Sequence, residues 1–182
     1  MDRPHHLGEP VIARVEVLAA ETPAHLDAVR ALIREFVAWH RRMHPQYREL
    51  IDRYFDEAAF EAELAGLPGK YAPPKGALRL ASVDGVAAGV VALRDLGEER
   101  CEMKRMFVPE RHRGLGIGRA LADDIIAAGR SAGYRSMRLD TSRSQTDAMR
   151  LYERSGFREI PPYYRVEDDE LRAWLIFYEK DL

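Results

Sequence analysis

The 182-residue sequence predicts a single α/β domain with a mixed, mostly antiparallel sheet flanked by helices. Three observations support that prediction. Segments that alternate apolar and polar residues are interspersed with segments whose apolar residues recur at helical spacing. The pair Asp84-Gly85 lies between two alternating segments, which is a strong signal for a hairpin. No internal repeat or low-complexity linker divides the chain.

The first half of the chain is predicted to begin with a mobile arm over residues 1–10, which are rich in charged residues, histidine and proline. The domain then covers residues 11–182. Proline and capping residues mark the helix ends, and alternation marks the strand. The predicted elements are a strand over Val11–Ala20, a helix that begins at Pro23 after Thr22 and ends before Pro45, a helix over Asp56–Leu64 and a loop over Leu67–Pro74.

The second half alternates strands with helices. The acidic run 168–170 is predicted to be a solvated turn. The predicted elements are hairpin strands over Leu78–Val83 and Val86–Leu93, a strand over Arg100–Val108, a helix from Gly116 to Ser131, a strand over Ser136–Leu139, a helix from its predicted cap Ser144 to Ser155, and strands over Phe157–Ile160 and Trp174–Tyr178.

Composition excludes several classes of protein. Lys and Arg total 28 against 30 Asp and Glu, a net charge of -2, which argues against a nucleic-acid or membrane-surface binder. The single cysteine, Cys101, excludes an intramolecular disulfide framework and a cysteine-based zinc site. No apolar run is long enough to span a bilayer, and the first ten residues lack a signal-peptide core. We therefore expect a cytoplasmic protein without a metal.

A basic loop with three alternating glycines precedes one predicted helix. Gly114, Gly116 and Gly118 let the backbone approach a ligand closely, and the amides at a helix start are unpaired. With Arg113 and Arg119 beside them, they predict a site for a phosphate-bearing ligand. The loop is not a P-loop, which ends in Gly-Lys-Ser/Thr. It also lacks the last glycine of the dinucleotide fingerprint, although Asp140 mimics the acidic residue of that motif.

The pattern R-x-x-G-x-G over Arg113–Gly118 resembles the acyl-CoA pyrophosphate loop of the GNAT N-acetyltransferase superfamily. The segment Ala148–Phe157 is similar to the A-x-x-L-Y-x-x-x-G-F motif of that superfamily, and Gln145 stands where an Asn is usual. The two motifs occur in the expected order about 30 residues apart. The resemblance covers residues 67–160 in motif and the whole chain in element order.

The resemblance implies a GNAT-like fold that binds acetyl-CoA, the acyl-donor co-substrate, where two parallel strands splay apart. By analogy these strands are Glu102–Val108 and Ser136–Leu139. An amine acceptor, which is a small molecule, an amino-acid-like compound or a peptide amine, would attack the thioester directly. The implied cofactor-binding residues are Met106, Phe107, Val108, Arg113, Gly114, Leu115, Gly116, Ile117, Gly118 and Arg119.

The resemblance also implies two catalytic residues. Glu102, on the first splayed strand, is the candidate base, and its alternative is a strand-edge ion pair with Lys104 or Arg105. Tyr152 is the candidate acid that protonates the departing thiolate, and its alternative is a tyrosine that packs on the sheet. Because attack is direct, Cys101 is expected to be a small buried apolar residue.

Other side chains suggest less specific roles. His40 and His44 have the spacing of a ligand pair, but they are expected to be surface or acceptor-site histidines. Five tyrosines either line the acceptor pocket or pack with a solvated hydroxyl: Tyr47, Tyr54, Tyr71, Tyr163 and Tyr164.

Two other functions remain open, a non-catalytic acyl-CoA sensor and a nicotinamide-dinucleotide binder. The oligomeric state is also open, with a homodimer among the alternatives.

Overall fold

The protein, described here by a computed structural model over residues 13–182, is built on one seven-stranded sheet of order β1-β2-β3-β4-β5-β7-β6. The predicted arm and the first two residues of the predicted first strand lie outside the described residues. The strands are β1 Val15–Ala19, β2 Ala77–Val83, β3 Val86–Gly97, β4 Arg100–Phe107, β5 Ser136–Ser142, β6 Arg158–Ile160 and β7 Leu175–Asp181.

Helices lie on both faces of this sheet, and three short 3-10 turns join some of the elements. The helices are α1 Pro23–Met43, α2 Arg48–Tyr54, α3 Glu57–Ala65, α4 Ile117–Ser131, α5 Thr146–Arg154 and α6 Asp169–Trp174. The 3-10 turns cover Pro45–Tyr47, Gly69–Tyr71 and Glu110–His112. No helix within residues 13–182 is long and apolar enough to cross a membrane.

The pairing of β4 with β5 gives the sheet its functional shape. Every other neighbouring pair is antiparallel, whereas β4 and β5 run parallel. They pair at only three positions, the last of which joins Glu102 to Arg138. Beyond it the two strands separate, and the unpaired edges open a V-shaped gap. The predicted mixed sheet with a splayed parallel pair is therefore confirmed.

A bulge in β4 lies beside this gap. Val90 pairs with Phe107 and Ala92 with Lys104, so two residues of β4 face the single residue between Val90 and Ala92. Arg105, one of those two, has a φ of 58°. A bulge bends its strand and changes which side chains face which side of the sheet. The bulge at Arg105 lies three residues beyond Glu102, where the pairing of β4 with β5 ends.

The two faces of the sheet carry two apolar cores. The alternation of β7 shows the division clearly, because Leu175 and Phe177 pack in one core and Ile176 and Tyr178 in the other. Helices α1, α2 and α3 cover the first face, and α4 covers the second. Cys101 is fully buried in the second core, as expected of a small apolar residue.

Most predicted elements are confirmed, including the hairpin at Asp84-Gly85, where both residues have positive φ. The structure adds α2 and α6 and corrects three predictions. Residues 168–170 are not a solvated turn, because Asp168 caps α6 by accepting from the Leu171 amide at 2.9 Å. Trp174 is the last residue of α6 and not the first of β7. The helices α2 and α6 have only seven and six residues, too few for a clear helical period.

Ser144 does not cap α5, which is the third correction. The cap position is Gln145, whose side chain makes no capping hydrogen bond. The hydroxyl of Ser144 instead lies 2.8 Å from that of Ser142. The Ser144 hydroxyl is therefore bonded at the end of β5 and does not cap the helix.

Candidate active site

An open cleft of about 540 Å³ lies at the mouth of the gap. It is bounded by the ends of α1 and β4, the starts of α4 and α5, and the loop between β4 and α4. Eight of the ten predicted cofactor-binding residues line it, namely Met106, Phe107, Val108, Arg113, Gly114, Gly116, Ile117 and Gly118. We call this space the donor cleft.

The glycine loop presents main-chain amides to the donor cleft. Gly114 and Gly116 have φ values of 79° and 78°, and a Cβ added at either would meet nothing within 4 Å. The backbone amides of residues 114–116 find no backbone acceptor among residues 13–182, and those of the first turn of α4 have no intrahelical acceptor. Because these amides point from a positive helix end, the loop fits an anionic group such as a pyrophosphate.

The arginines of the loop differ in role. The Arg113 amide donates to the Glu110 carbonyl at 3.1 Å, so only the side chain of Arg113 is available to a ligand in the cleft. That guanidinium lies 4.7 Å from the Trp39 ring centroid and donates from Nε to the Val108 carbonyl at 3.1 Å. Arg119 pairs with Asp123 along α4.

Some of the predicted cofactor-binding residues do not contribute to the donor cleft in the same way as the rest. Leu115 is exposed and Arg119 is half exposed, and neither lines the donor cleft. Val108 lines the donor cleft, but its carbonyl already accepts from Arg113. Ile117 is buried in the core, so only its main chain can serve a ligand.

A small inner cavity of about 50 Å³ lies deeper in the gap. It shares Phe36, Met106 and Gln145 with the donor cleft. Its other walls come from the separated ends of β4 and β5, from α1, α2 and α5, and from the junction of α6 with β7. The inner cavity therefore occupies the place where the reactive end of a ligand in the cleft would arrive.

Tyr152 lines this inner cavity. Its side chain is only 6% exposed and packs against Phe157 and Tyr178. Burial raises its pKa, and the Asp140 carboxylate raises it further. Leu151, the preceding residue of α5, lies half buried against Gly118 and lines the donor cleft.

On the far side of the inner cavity lies a depression of about 220 Å³, which we call the acceptor depression. It shares Tyr54, Lys104 and Arg105 with the cavity. The donor cleft, the inner cavity and the acceptor depression thus form one row through the gap. The residues that line the depression are Tyr54, Lys70, Arg94, Glu102, Lys104, Arg105 and Tyr164.

Glu102 is a fully buried carboxylate in the wall of the depression. One oxygen accepts from the Tyr163 hydroxyl at 2.5 Å, and the other accepts from Nε of Arg94. Lys104 lies 3.8 Å from the first oxygen. The expected ion pair with Lys104 is therefore present, but it is buried and not at the surface, and Arg94 and Tyr163 hold the same carboxylate.

Sequence reasoning missed a second buried ion pair, between Asp140 on β5 and Lys104 on β4. The Lys104 ammonium lies 3.0 Å from the carboxylate, which also accepts from Tyr54 at 2.6 Å and Tyr164 at 3.1 Å. Burial disfavours both charges, but each holds the other ionised. The pKa of Lys104 is raised well above its usual value, and that of Asp140 is lowered.

A third pair, also missed, closes the other side of the depression. Glu63 on α3 accepts from Arg105, from Lys70 at 2.7 Å and from the Tyr71 hydroxyl at 2.9 Å. Burial would raise the pKa of Glu63, but these cations lower it to about 2. Only the charge of each partner is visible in the sequence; the distances between them depend on the fold.

His40 lies in the wall of the inner cavity and is 1% exposed, so the expectation of a surface histidine is wrong. Its ring stacks on Phe36 and Trp174, and neither nitrogen has a hydrogen-bond partner within residues 13–182. Burial lowers its pKa to about 4, and the neighbouring His44 adds to the effect. His40 is therefore neutral at physiological pH.

The tyrosines divide between the two expected roles. Tyr54 and Tyr164 line the acceptor depression, and the Tyr163 hydroxyl reaches Glu102. Tyr71 is buried with its hydroxyl on Glu63, and Tyr47 packs against Trp174. Within the described part of the chain, no group of three or more His, Cys, Asp or Glu side chains could hold a metal ion.

Comparison with known proteins identifies the family of the chain. Residues 30–157 match the Acetyltransferase (GNAT) family. The chain belongs to that family. An uncharacterized N-acetyltransferase of Schizosaccharomyces pombe is 34% identical over 84% of this chain and 88% of its own length. Human N-acetylaspartate synthetase is 32% identical over 63% of this chain and 38% of its own length.

Solved structures show the same fold. A GNAT acetyltransferase of Staphylococcus aureus superposes with a TM-score of 0.70 over 92% of this chain and 99% of its own, at 20% identity. An N-acetyltransferase of Thermoplasma acidophilum, solved with coenzyme A, has a TM-score of 0.68 at 15% identity over 93% of this chain and 99% of its own. The chain is thus a GNAT N-acetyltransferase that uses acetyl-CoA, as the sequence motifs predicted.

Proposed function

We propose that the protein transfers the acetyl group of acetyl-CoA to a primary amine bound in the acceptor depression, by direct attack on the thioester. The observation that carries this proposal is the row of three spaces through the gap between β4 and β5. The donor cleft offers main-chain amides to the pyrophosphate, the inner cavity has room for a small acyl group, and the acceptor depression opens from the other side.

Acetyl-CoA supplies an activated acetyl thioester. The amine nitrogen forms a bond to the carbonyl carbon, and the carbon–sulfur bond breaks. One proton leaves the amine and one is taken up by the departing thiolate. The chain therefore needs a proton acceptor on the side of the depression and a donor on the side of the cleft.

Glu102 is the proposed proton acceptor. The amine must be neutral to attack, and a lysine-like amine is almost wholly protonated at neutral pH. Glu102 lies in the wall of the acceptor depression, and the Tyr163 hydroxyl that donates to it provides a path for the proton. A water molecule in the depression would provide the same connection.

Tyr152 is the proposed proton donor. It lines the inner cavity next to Met106 and Gln145, where the thioester sulfur would lie. Burial raises its pKa, so the hydroxyl stays protonated at physiological pH until a thiolate forms beside it. Cys101 takes no part, because it is buried in the core on the α4 side of the sheet, where burial raises its thiol pKa to about 12.

The test is acetyl-CoA-dependent thiol release measured across a panel of amines, together with calorimetry of acetyl-CoA binding. We expect binding in the absence of acceptor and thiol release that depends on the acceptor amine. Binding without release for any amine would indicate the acyl-CoA sensor instead.

A further inference from the structure

We propose that the acceptor depression contains a carboxylate subsite built on Arg94, and that the acceptor is a small amine that carries a carboxylate close to its amino group. This inference rests on the proposed function, because it assigns the acceptor to this depression. It narrows the acceptor from primary amines in general to acidic or zwitterionic ones of amino-acid type.

The first support is the way Arg94 is held. Its Nε donates to Glu102, which fixes the plane of the guanidinium. The two terminal nitrogens, Nη1 and Nη2, have no hydrogen-bond partner within residues 13–182, and about a third of the side chain is exposed at the depression. Two parallel N–H groups on a fixed plane match the two oxygens of a carboxylate.

The second support is the charge of the wall. Four cations line the depression, namely Lys70, Arg94, Lys104 and Arg105, against the single carboxylate Glu102. The buried partners Glu63 and Asp140 neutralise two of these positive charges. One positive charge therefore remains uncompensated in a partly desolvated space, where an acceptor carboxylate would be attracted.

The same charge also favours the reaction. A positive wall disfavours the ammonium form of a bound amine and so lowers the pKa of the acceptor amine. Polyamines and other cationic acceptors would be repelled. The volume of about 220 Å³ suits a small molecule better than a peptide chain. The carboxylate at Arg94 would then leave the amine facing Lys104 and the inner cavity.

The experiment compares matched acceptors. Free L-amino acids are assayed first, and the best is compared with its own α-carboxamide and with its decarboxylated amine. The carboxamide is the sharper probe, because its amine is less basic and would react faster if no carboxylate subsite existed. We expect kcat/KM to be at least about tenfold higher for the free acid. The acid lacking the amino group should inhibit competitively against the acceptor.

Variants locate the subsite. Arg94→Met should raise the KM for the free acid by about 10- to 100-fold and abolish the preference over the carboxamide, with acetyl-CoA affinity unchanged. Arg94→Lys keeps the positive charge but lacks the two parallel N–H groups, so its KM for the free acid should lie between those of the wild type and Arg94→Met. It serves as the second variant if Arg94→Met fails to fold. Arg79→Met is the matched control, because Arg79 also donates from Nε to a carboxylate, that of Asp124, away from the depression.

The outcomes separate the two proposals. Thiol release that is equally efficient with the carboxamide or with a polyamine would keep the proposed function and overturn the carboxylate subsite. An unchanged acid preference in Arg94→Met and Arg94→Lys would overturn it as well. Failure to bind acetyl-CoA or to acetylate any amine would overturn the proposed function, and this inference with it.

Discussion

The donor cleft and the acceptor depression recognise their ligands in different ways. The cleft presents main-chain amides from one continuous stretch, residues 114–119, and glycine makes that stretch possible. The depression presents side chains from separate elements, among them Tyr54 on α2, Arg94 on β3 and Lys104 on β4. A main-chain site leaves a local pattern in the sequence, whereas a side-chain site is assembled by the fold.

The two regions also differ in their electrostatics. On the cleft side, the pair Arg119–Asp123 is exposed and contributes little to stability. On the depression side, Glu102 and Asp140 are fully buried charges held by cations and tyrosines. Removing one partner of such a pair leaves an uncompensated buried charge, which costs about 3–5 kcal/mol. We therefore expect mutations in the depression to couple activity with stability more strongly than mutations in the cleft.

The largest predicted effect is at the junction of the two regions. Tyr152→Phe removes the proposed proton donor and keeps the ring, so kcat should fall by about 10²–10⁴-fold. Acetyl-CoA affinity and melting temperature should stay nearly unchanged. Tyr178→Phe is the control, because Tyr178 is a buried neighbour whose hydroxyl bonds to Glu153 outside the site. Turnover of Tyr152→Phe at the wild-type rate would remove the hydroxyl from the mechanism.

Glu102→Gln tests the depression alone. Loss of the proposed base should lower the rate by about 10²-fold at acid pH, where few acceptor molecules are neutral, and raising the pH should partly restore it. The pH profile of kcat measures this effect, and KM for the acceptor reports any displacement of Arg94. Glu179→Gln, which changes another carboxylate paired with arginine, should leave the profile in place. A wild-type profile in Glu102→Gln would exclude the base role.

We expect the stability of the protein to depend on pH because of the buried His40. Its pKa is about 4 in the folded protein and 6.5 when unperturbed, so the unfolded state binds a proton that the folded state does not. The contribution of neutral His40 to stability is therefore fully present above about pH 6.5. The free energy of unfolding should fall by up to about 3 kcal/mol as the pH approaches 4. Glu63 acts in the same direction only below about pH 4.5, as its pKa is lowered to about 2.

Denaturant unfolding between pH 4.5 and 6.5 measures this effect. The variant His40→Phe should lose most of the slope in that interval. His25→Gln, on the same helix, is the control that should retain it. A slope of wild-type size in His40→Phe would contradict the assignment to His40.

The smallest predicted effect concerns the donor cleft. Gly116→Val places a β-branched residue at a φ of 78° where the ligand must come close, and acetyl-CoA affinity should fall by about 10- to 100-fold in calorimetry. Gly133→Val is a closely matched control, because Gly133 has a φ of 87° and equally open surroundings at the other end of α4. If Gly116→Val and Gly133→Val lower the acetyl-CoA affinity by the same factor, backbone strain alone accounts for the loss. Close approach of the ligand to Gly116 would then be excluded.

The sequence by itself determined the order of the strands from β1 to β5, the hairpin and the glycine loop before α4, because these depend on alternation, turn residues and glycine at neighbouring positions. It also contained the two motifs of the GNAT family. It could not show α2 and α6, which are too short for a clear period, or the place of Ser144, whose hydroxyl bonds to Ser142.

Only the tertiary structure decided the acceptor side of the site. The bulge at Arg105 and the separation of β4 from β5 set which side chains face the gap. They bring Asp140 to Lys104 across 36 residues of sequence, and Glu102 to Tyr163 across 61. Charge pairs that close over such separations leave no periodic signal, because their contact depends on how distant strands align in the sheet. The physical reason is that main-chain recognition is local, whereas side-chain recognition in a buried site depends on the whole fold.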